Sequence, residues 1–209
     1  MSVIARGAFW TAFLRSLRVR GLAGVQLVIS DSHTGLTQAI EAVLLGTSWQ
    51  RCRVHFLRNV LAQVPKGHAD MVAAAVRTIF AQPDAEHVRE QLDTIAGMLG
   101  RQLPKVEQML RTAAADVTAF ADFPVPHWKK IWSTNPLERV NKEIKRRTDV
   151  VGVFPNPEAL LRLAGAVLVE AHDDWQATDR RYLSEGSMAL LKNPTRSAEE
   201  VAPPALLTA

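Results

Sequence analysis

Residues 25–56 read VQLVISDSHTGLTQAIEAVLLGTSWQRCRVHF, and the order of patterns within them decides the fold class. Residues 25–30 form a short apolar run rich in β-branched side chains, as a buried strand requires. Asp31 follows at once. Leu36, Ile40, Val43 and Leu44 then recur at helical spacing, which predicts a helix opening at Thr34 or Gly35, running through Leu45 and closed by Gly46. Residues 49–56 predict a second strand. Strand, helix and strand in this order predict a parallel α/β arrangement, because parallel strands need a crossover connection.

Working outward, residues 8–20 predict an amphipathic helix. Phe9, Phe13, Leu14 and Leu17 fall on one face, Arg15 and Arg18 lie opposite, and Gly21 and Gly24 mark the end. A helix feeding a strand, with no strand before it, is a poor way to begin a parallel sheet, so further N-terminal strands are expected to belong to the fold. From residue 57 to 123 only helical periodicity is present. Three helices are predicted: 57–81 with a break near Pro65 and Gly67, 84–99, and 104–121. The FPVP stretch at 123–126 ends this block in an extended turn. Two more helices are predicted from Asn135-Pro136 and from Asn156-Pro157, each with Asn as N-cap and Pro at the first helical position, the second reaching about Asp173. Residues 191–209, rich in Pro, Ala and Glu, read as a disordered tail. The expected fold class is therefore α/β but predominantly helical.

The bulk properties exclude several function classes. No apolar run reaches the roughly 18 residues of a membrane span; the longest, residues 160–169, is interrupted by Arg162. Arg15, Arg18 and Arg20 occupy the place where a secretory signal would need an apolar stretch. Cys52 is the only cysteine, which rules out an intrachain disulfide and fits a reducing cytoplasm. The net charge of +4 leans toward a polyanionic partner. Its distribution says more. Residues 1–30 contain four arginines and no Asp or Glu, and Lys142, Lys145, Arg146 and Arg147 form a second basic cluster shortly after Lys129 and Lys130. A solvated helix face explains such a cluster as readily as a phosphate-binding strip does.

Several residues are of a type and in a place to do chemistry. Asp31 stands at the C-terminal end of a predicted parallel strand, where open α/β sheets gather ligands, and a carboxylate there suits Mg²⁺. An ordinary turn aspartate fits the same position. Glu138 lies in TNPLERVNK at the capping-box position of a helix, and it also shares one face with Lys142 and Lys145 at i, i+4, i+7. That face suits a metal ligand beside a phosphate-tracking strip, and equally a salt-bridged surface. Cys52 and His55 form C-x-x-H, yet a structural zinc wants four ligands and no second cysteine exists. On a strand the two side chains would point to opposite faces. Trp128 and Trp132, beside Lys129 and Lys130, could stack on DNA bases, although core packing is the ordinary role of such a pair. The sequence contains no phosphate loop, nucleotide-binding fingerprint or Ser-His-Asp order.

Three stretches together resemble the mutator family of insertion-sequence transposases: LVISDSHTGLTQAI (27–40), CRVHFLRNVL (52–61) and STNPLERVNKEIKRRTDVVGVFPN (133–156), in that order. FWTAFLRSLRVRGL (9–22), DDW (173–175) and RRYL (180–183) fit too, so the resemblance covers roughly residues 8–190. It implies a ribonuclease H-like core with an Asp-Asp-Glu triad that cuts and joins DNA with two Mg²⁺ ions. Asp31 matches the family's second Asp, Glu138 its Glu, and Lys145 the basic residue that accompanies the Glu. Cys52 and His55 match its C-x-x-H signature, in a structural or site-supporting role. Arg139, Lys142, Arg146 and Arg147 are then expected to neutralise the DNA backbone. The resemblance divides the chain into a partial ribonuclease H-like core (1–56), a helical insertion (57–126), core helices carrying Glu138 (127–190) and the tail. Implied partners are the element's terminal inverted repeats, target DNA, and a second copy or an intact transposase, with no membrane.

The family's first Asp lies on a strand before the first helix seen here, and no acidic residue precedes Asp31. The expectation is therefore an N-terminally truncated chain, inactive alone but competent as part of a complete protein. The alternative is a catalytically inactive fragment that binds DNA or pairs with intact transposase as an inhibitor, or a decayed gene remnant.

Overall fold

The computed structural model describes residues 3–177 and 182–192, which fall into two compact units dividing between Ser133 and Thr134. In the first, helix α1 (Val3–Val19) leads to strand β1 (Leu27–Ser30), helix α2 (Thr34–Val43) and strand β2 (Ser48–Arg51). The strands pair in parallel, Leu27 opposite Ser48 and Ser30 opposite Arg51. Among the described residues this is a two-stranded sheet in a chain that is otherwise helical.

Local chemistry explains these boundaries. His33 caps α2: the Leu36 amide donates to its Nδ1 at 3.2 Å. Gly46, at φ 77°, makes the left-handed turn that returns the chain to β2. Ala39, Ile40, Val43 and Leu44 are buried with Leu14 of α1, and Trp10, Leu17, Leu36 and Trp49 pack against them. The two helices approach closely at Gly35, where an added Cβ would lie 3.0 Å from the Cα and N of Gly7.

The second strand is shorter than the sequence predicts. It ends at Arg51, Cys52 is the N-cap of helix α3 (Arg53–Leu61), and Phe56 lies inside that helix. Strand and helix positions are both apolar and buried here, so periodicity over so short a run cannot place the junction. The correction matters for Cys52 and His55. On a helix, i and i+3 share a face, whereas a strand would have turned them apart.

The helical block follows with a break where Pro65 and Gly67 stand. It comprises α4 (Ala69–Ile79), α5 (Ala85–Gly100), α6 (Pro104–Thr112), the short α7 (Ala114–Thr118) and, past a pair of 3₁₀ turns, α8 (Trp128–Ile131). Asp84 caps α5, its Oδ1 accepting from the His87 amide at 2.9 Å. The predicted helix over 104–121 is split at Ala113, whose φ of −95° and ψ of 3° leave the α region. Phe56, Val60, Val76, Ile79, Leu92, Leu110 and Phe120 form one continuous core. Phe120 is its aromatic hub, with Phe80, Trp128 and Trp132 rings at 5.7, 5.1 and 5.8 Å. Trp128 and Trp132 thus take part in packing, Trp128 being 4% exposed.

The second unit contains α9 (Asn135–Val151), α10 (Pro157–Ala177) and α11 (Glu185–Lys192). Thr134, not Asn135, is the residue preceding α9, so Glu138 sits one position further into the helix than a capping box requires. Asn156 does cap α10, its Oδ1 accepting from the Ala159 amide at 2.8 Å. Of the expected tail, Leu191 and Lys192 close α11, and residues 193–209 lie outside the described residues, as do Arg180 and Arg181 of RRYL.

Candidate functional site

Asp31 follows β1 directly, at the C-terminal end of a parallel strand pair. Its side chain is exposed, and Oδ1 accepts from the Ser32 amide at 2.7 Å. The Ser30 hydroxyl beneath it donates to the Asp31 carbonyl at 2.9 Å and accepts from the Trp49 indole N–H at 2.8 Å. The strand end that presents Asp31 is therefore held from below by a side chain of the neighbouring strand. Cys52 stands at the same end of the sheet, its amide donating to the Ser30 carbonyl at 2.7 Å. Cys52 is fully buried, and His55, half-buried, is one helical turn further on.

The second unit carries the other sequence-predicted residues on α9. Glu138, Lys142 and Lys145 are exposed along one face of that helix, as their spacing predicts, and Arg139 is exposed beside them. The Thr134 hydroxyl donates to Glu138 Oε1 at 3.2 Å. Lys142 and Lys145 make no ion pair among the described residues. Arg146 and Arg147 differ. Both bind Glu143, at 2.7 and 2.8 Å, and Arg147 also binds Glu170 at 3.0 Å. The two guanidinium groups hold the Glu143 carboxyl far below its usual range, at about 2, by hydrogen bonding first and charge second. Their positive charge is thus largely answered within the unit.

Asp31 and Glu138 belong to different units. Each is an exposed carboxylate with one oxygen accepting a hydrogen bond from a local donor, and the chemistry of each suits a hard cation such as Mg²⁺. Among the described residues no three His, Cys, Asp or Glu side chains converge on a common point that could hold a metal. No helix there is long and apolar enough to cross a membrane.

A third set of residues carries no local sequence signal. Arg53, Arg58, Arg77 and Lys129 come from three separate helices and line one cleft in the first unit. Nothing local in the sequence joins them, although their helices and spacing were predictable.

The profile described as Transposase, Mutator family matches residues 4–178. The chain belongs to the Mutator family of transposases. It is 47% identical, over 94% of its own length, to the transposase for insertion sequence element IS1081 of Mycobacterium tuberculosis. It is 40% identical over 82% of its length to the transposase for ISRM5 of Rhizobium meliloti, and 38% identical over 84% to that for IS256 in transposon Tn4001 of Staphylococcus aureus. The match takes in 47%, 43% and 45% of these three relatives, so this Mutator-family chain spans about half the length of each.

Proposed function

We propose that this chain is the part of a DNA transposase that supplies two of its catalytic carboxylates, Asp31 and Glu138, within a ribonuclease H-like core interrupted by the helical block. The single observation that carries this reading is the exposed carboxylate of Asp31 at the C-terminal end of a parallel strand, in a chain of this family. Magnesium held by these carboxylates would activate a water or a DNA 3′-hydroxyl and stabilise the leaving oxygen. The chain's own residues bind and orient. The Trp49–Ser30 hydrogen bond fixes the backbone that aims Asp31, and Cys52 and His55 brace the same strand end. Lys142, Lys145 and Arg139 neutralise phosphates along the terminal inverted repeats and target DNA, which makes binding salt-sensitive. Arg146 and Arg147 contribute to that surface only when Glu143 releases them. Assembly with a second copy belongs to the same reading.

The test is Mg²⁺-dependent nicking of DNA carrying the ends of IS1081. The 209-residue chain would be compared with a chimera in which it replaces the matching part of the Mycobacterium tuberculosis relative. The chimera is expected to cut, and Glu138→Gln in it to abolish cutting. A Glu138→Gln chimera as active as its parent would overturn the assignment of that carboxylate. In a second reading the 209-residue chain binds DNA or an intact transposase without cutting. It predicts that the chain alone retains DNA without nicking it and inhibits the relative when mixed with it.

A further inference from the structure

An open cleft of about 1100 Å³ lies in the first unit, and its charge is one-sided. Four cations line it, Arg53, Arg58, Arg77 and Lys129, with no Asp or Glu among the lining residues. Among the described residues none of these four side chains makes a hydrogen bond or ion pair. By contrast, Arg89, Arg111, Arg146 and Arg147 elsewhere in the chain all have carboxylate partners. Like charges that converge without a counter-charge repel one another, and an anion relieves that repulsion. Burial lowers the Arg53 pKa most, the neighbouring Cys52 offsets part of that, and nearby Arg77 lowers it again.

One side of the cleft is aromatic, with a cation laid over it. The Arg53 guanidinium lies 3.7 Å from the centre of the Trp132 ring and 5.3 Å from that of Phe80. A planar cation stacked on an indole is a surface that a nucleobase can cover. A duplex keeps its bases stacked on one another, so this wall would go unused by intact duplex.

Place in the fold links the cleft to the DNA. Arg53 is the first residue of α3, directly after Cys52, and Cys52 shares its end of the sheet with Asp31. We propose that this cleft receives an unpaired stretch of the DNA strand, a base covering the Arg53–Trp132 stack and phosphates meeting Arg58, Arg77 and Lys129. The proposal rests on the transposase reading and adds a single-strand subsite to it.

The test is fluorescence anisotropy of the 209-residue chain with a labelled short oligothymidylate and with a blunt duplex, over a series of salt concentrations. Arg58 and Arg77 are exposed, so the double variant Arg58→Gln/Arg77→Gln keeps the core intact. It is expected to weaken oligothymidylate binding by about tenfold or more and to lower the single-strand salt slope by about 0.7 per cation removed. Duplex binding is expected to change far less. Oligothymidylate is expected to quench tryptophan fluorescence in the wild type, and Trp132→Phe to remove most of that quenching while keeping an aromatic ring against Phe120. If wild type binds duplex but the double variant holds oligothymidylate equally well, the cleft is not a strand site and the transposase reading stands. If the double variant loses duplex and oligothymidylate alike, the cations form a general phosphate patch and the base-covering wall is wrong. If wild type binds neither DNA, the strand-site proposal falls, and nicking by the chimera decides the transposase reading separately.

Discussion

The side-chain amide of Gln50 joins the sheet to the helical block: its Oε1 accepts from the Phe120 amide at 2.7 Å, and its Nε2 donates to the Val117 carbonyl at 3.0 Å. Gln50 is wholly buried on β2, and the two backbone groups it satisfies stand where α7 gives way to a 3₁₀ turn. Both groups are buried, and a buried backbone group that loses its hydrogen-bond partner is costly. Gln50→Leu keeps the volume but strands both. We expect it to destabilise the first unit by about 2–4 kcal/mol, read as a lowered midpoint of urea unfolding. A midpoint equal to wild type would mean that water or a backbone shift replaces the amide.

This bolt also marks the limit of what the sequence revealed. Element order and most helix positions were legible, because Leu36, Ile40 and Val43 repeat at helical spacing and Asp84 and Asn156 are strong caps. The strand-to-helix junction at Cys52 was not, since a buried apolar run looks alike in either state. Asp31 was readable as a strand-end carboxylate, and the Glu138–Lys142–Lys145 face as a helix stripe. The pairing of Arg146 and Arg147 with Glu143 follows i, i+3 and i, i+4 spacing, so it was legible in the sequence beside the DNA role expected of those arginines. The Arg53, Arg58, Arg77 and Lys129 cleft was out of reach. It depends on how three helices pack, which local periodicity does not encode.

Asp31→Asn separates chemistry from folding. The side chain is exposed, and an asparagine oxygen can still accept from the Ser32 amide. Stability is therefore expected to change by no more than about 0.5 kcal/mol. On the role proposed for Asp31, its loss in the chimera is expected to cost several kcal/mol of transition-state stabilisation, a fall in nicking of about a hundredfold or more. Thermal melting and nicking measured on the same preparation decide it. A variant that nicks like its parent removes Asp31 from the site.

Gly35 and Gly7 predict an asymmetry. A Cβ on Gly35 would press to 3.0 Å against the Gly7 backbone, whereas one on Gly7 would meet the Gly35 Cα at an ordinary 3.9 Å. Gly35→Ala must push α1 away from α2 and is expected to destabilise by about 1–3 kcal/mol. Gly7→Ala sits inside α1 without a clash and is expected to be neutral or to stabilise by up to about 1 kcal/mol, through helix propensity. The denaturant midpoint should fall for Gly35→Ala and stay level or rise for Gly7→Ala. Equal shifts would mean that the two helices do not meet at these residues.

Glu143 sets how much of the positive charge on α9 is left without an ion-pair partner of its own. Its carboxyl is held at about 2 in the folded chain, against an ordinary 4.5. A depressed carboxylate pKa stabilises the fold at every pH above about 4.5, and that contribution is lost as the pH falls from 4.5 toward 2. Glu143→Gln is therefore expected to flatten the pH dependence of unfolding in that window, measured by circular dichroism at 222 nm. The same substitution removes the ion pair of Arg146, whereas Arg147 keeps Glu170 at 3.0 Å. One additional cation then becomes available to phosphate, not two. Duplex binding is expected to tighten at low salt, and the slope of log affinity against log salt to steepen by about 0.9. An unchanged slope would place Arg146 away from the DNA, and a steepening near twice that value would show that Glu170 does not hold Arg147 when DNA is bound.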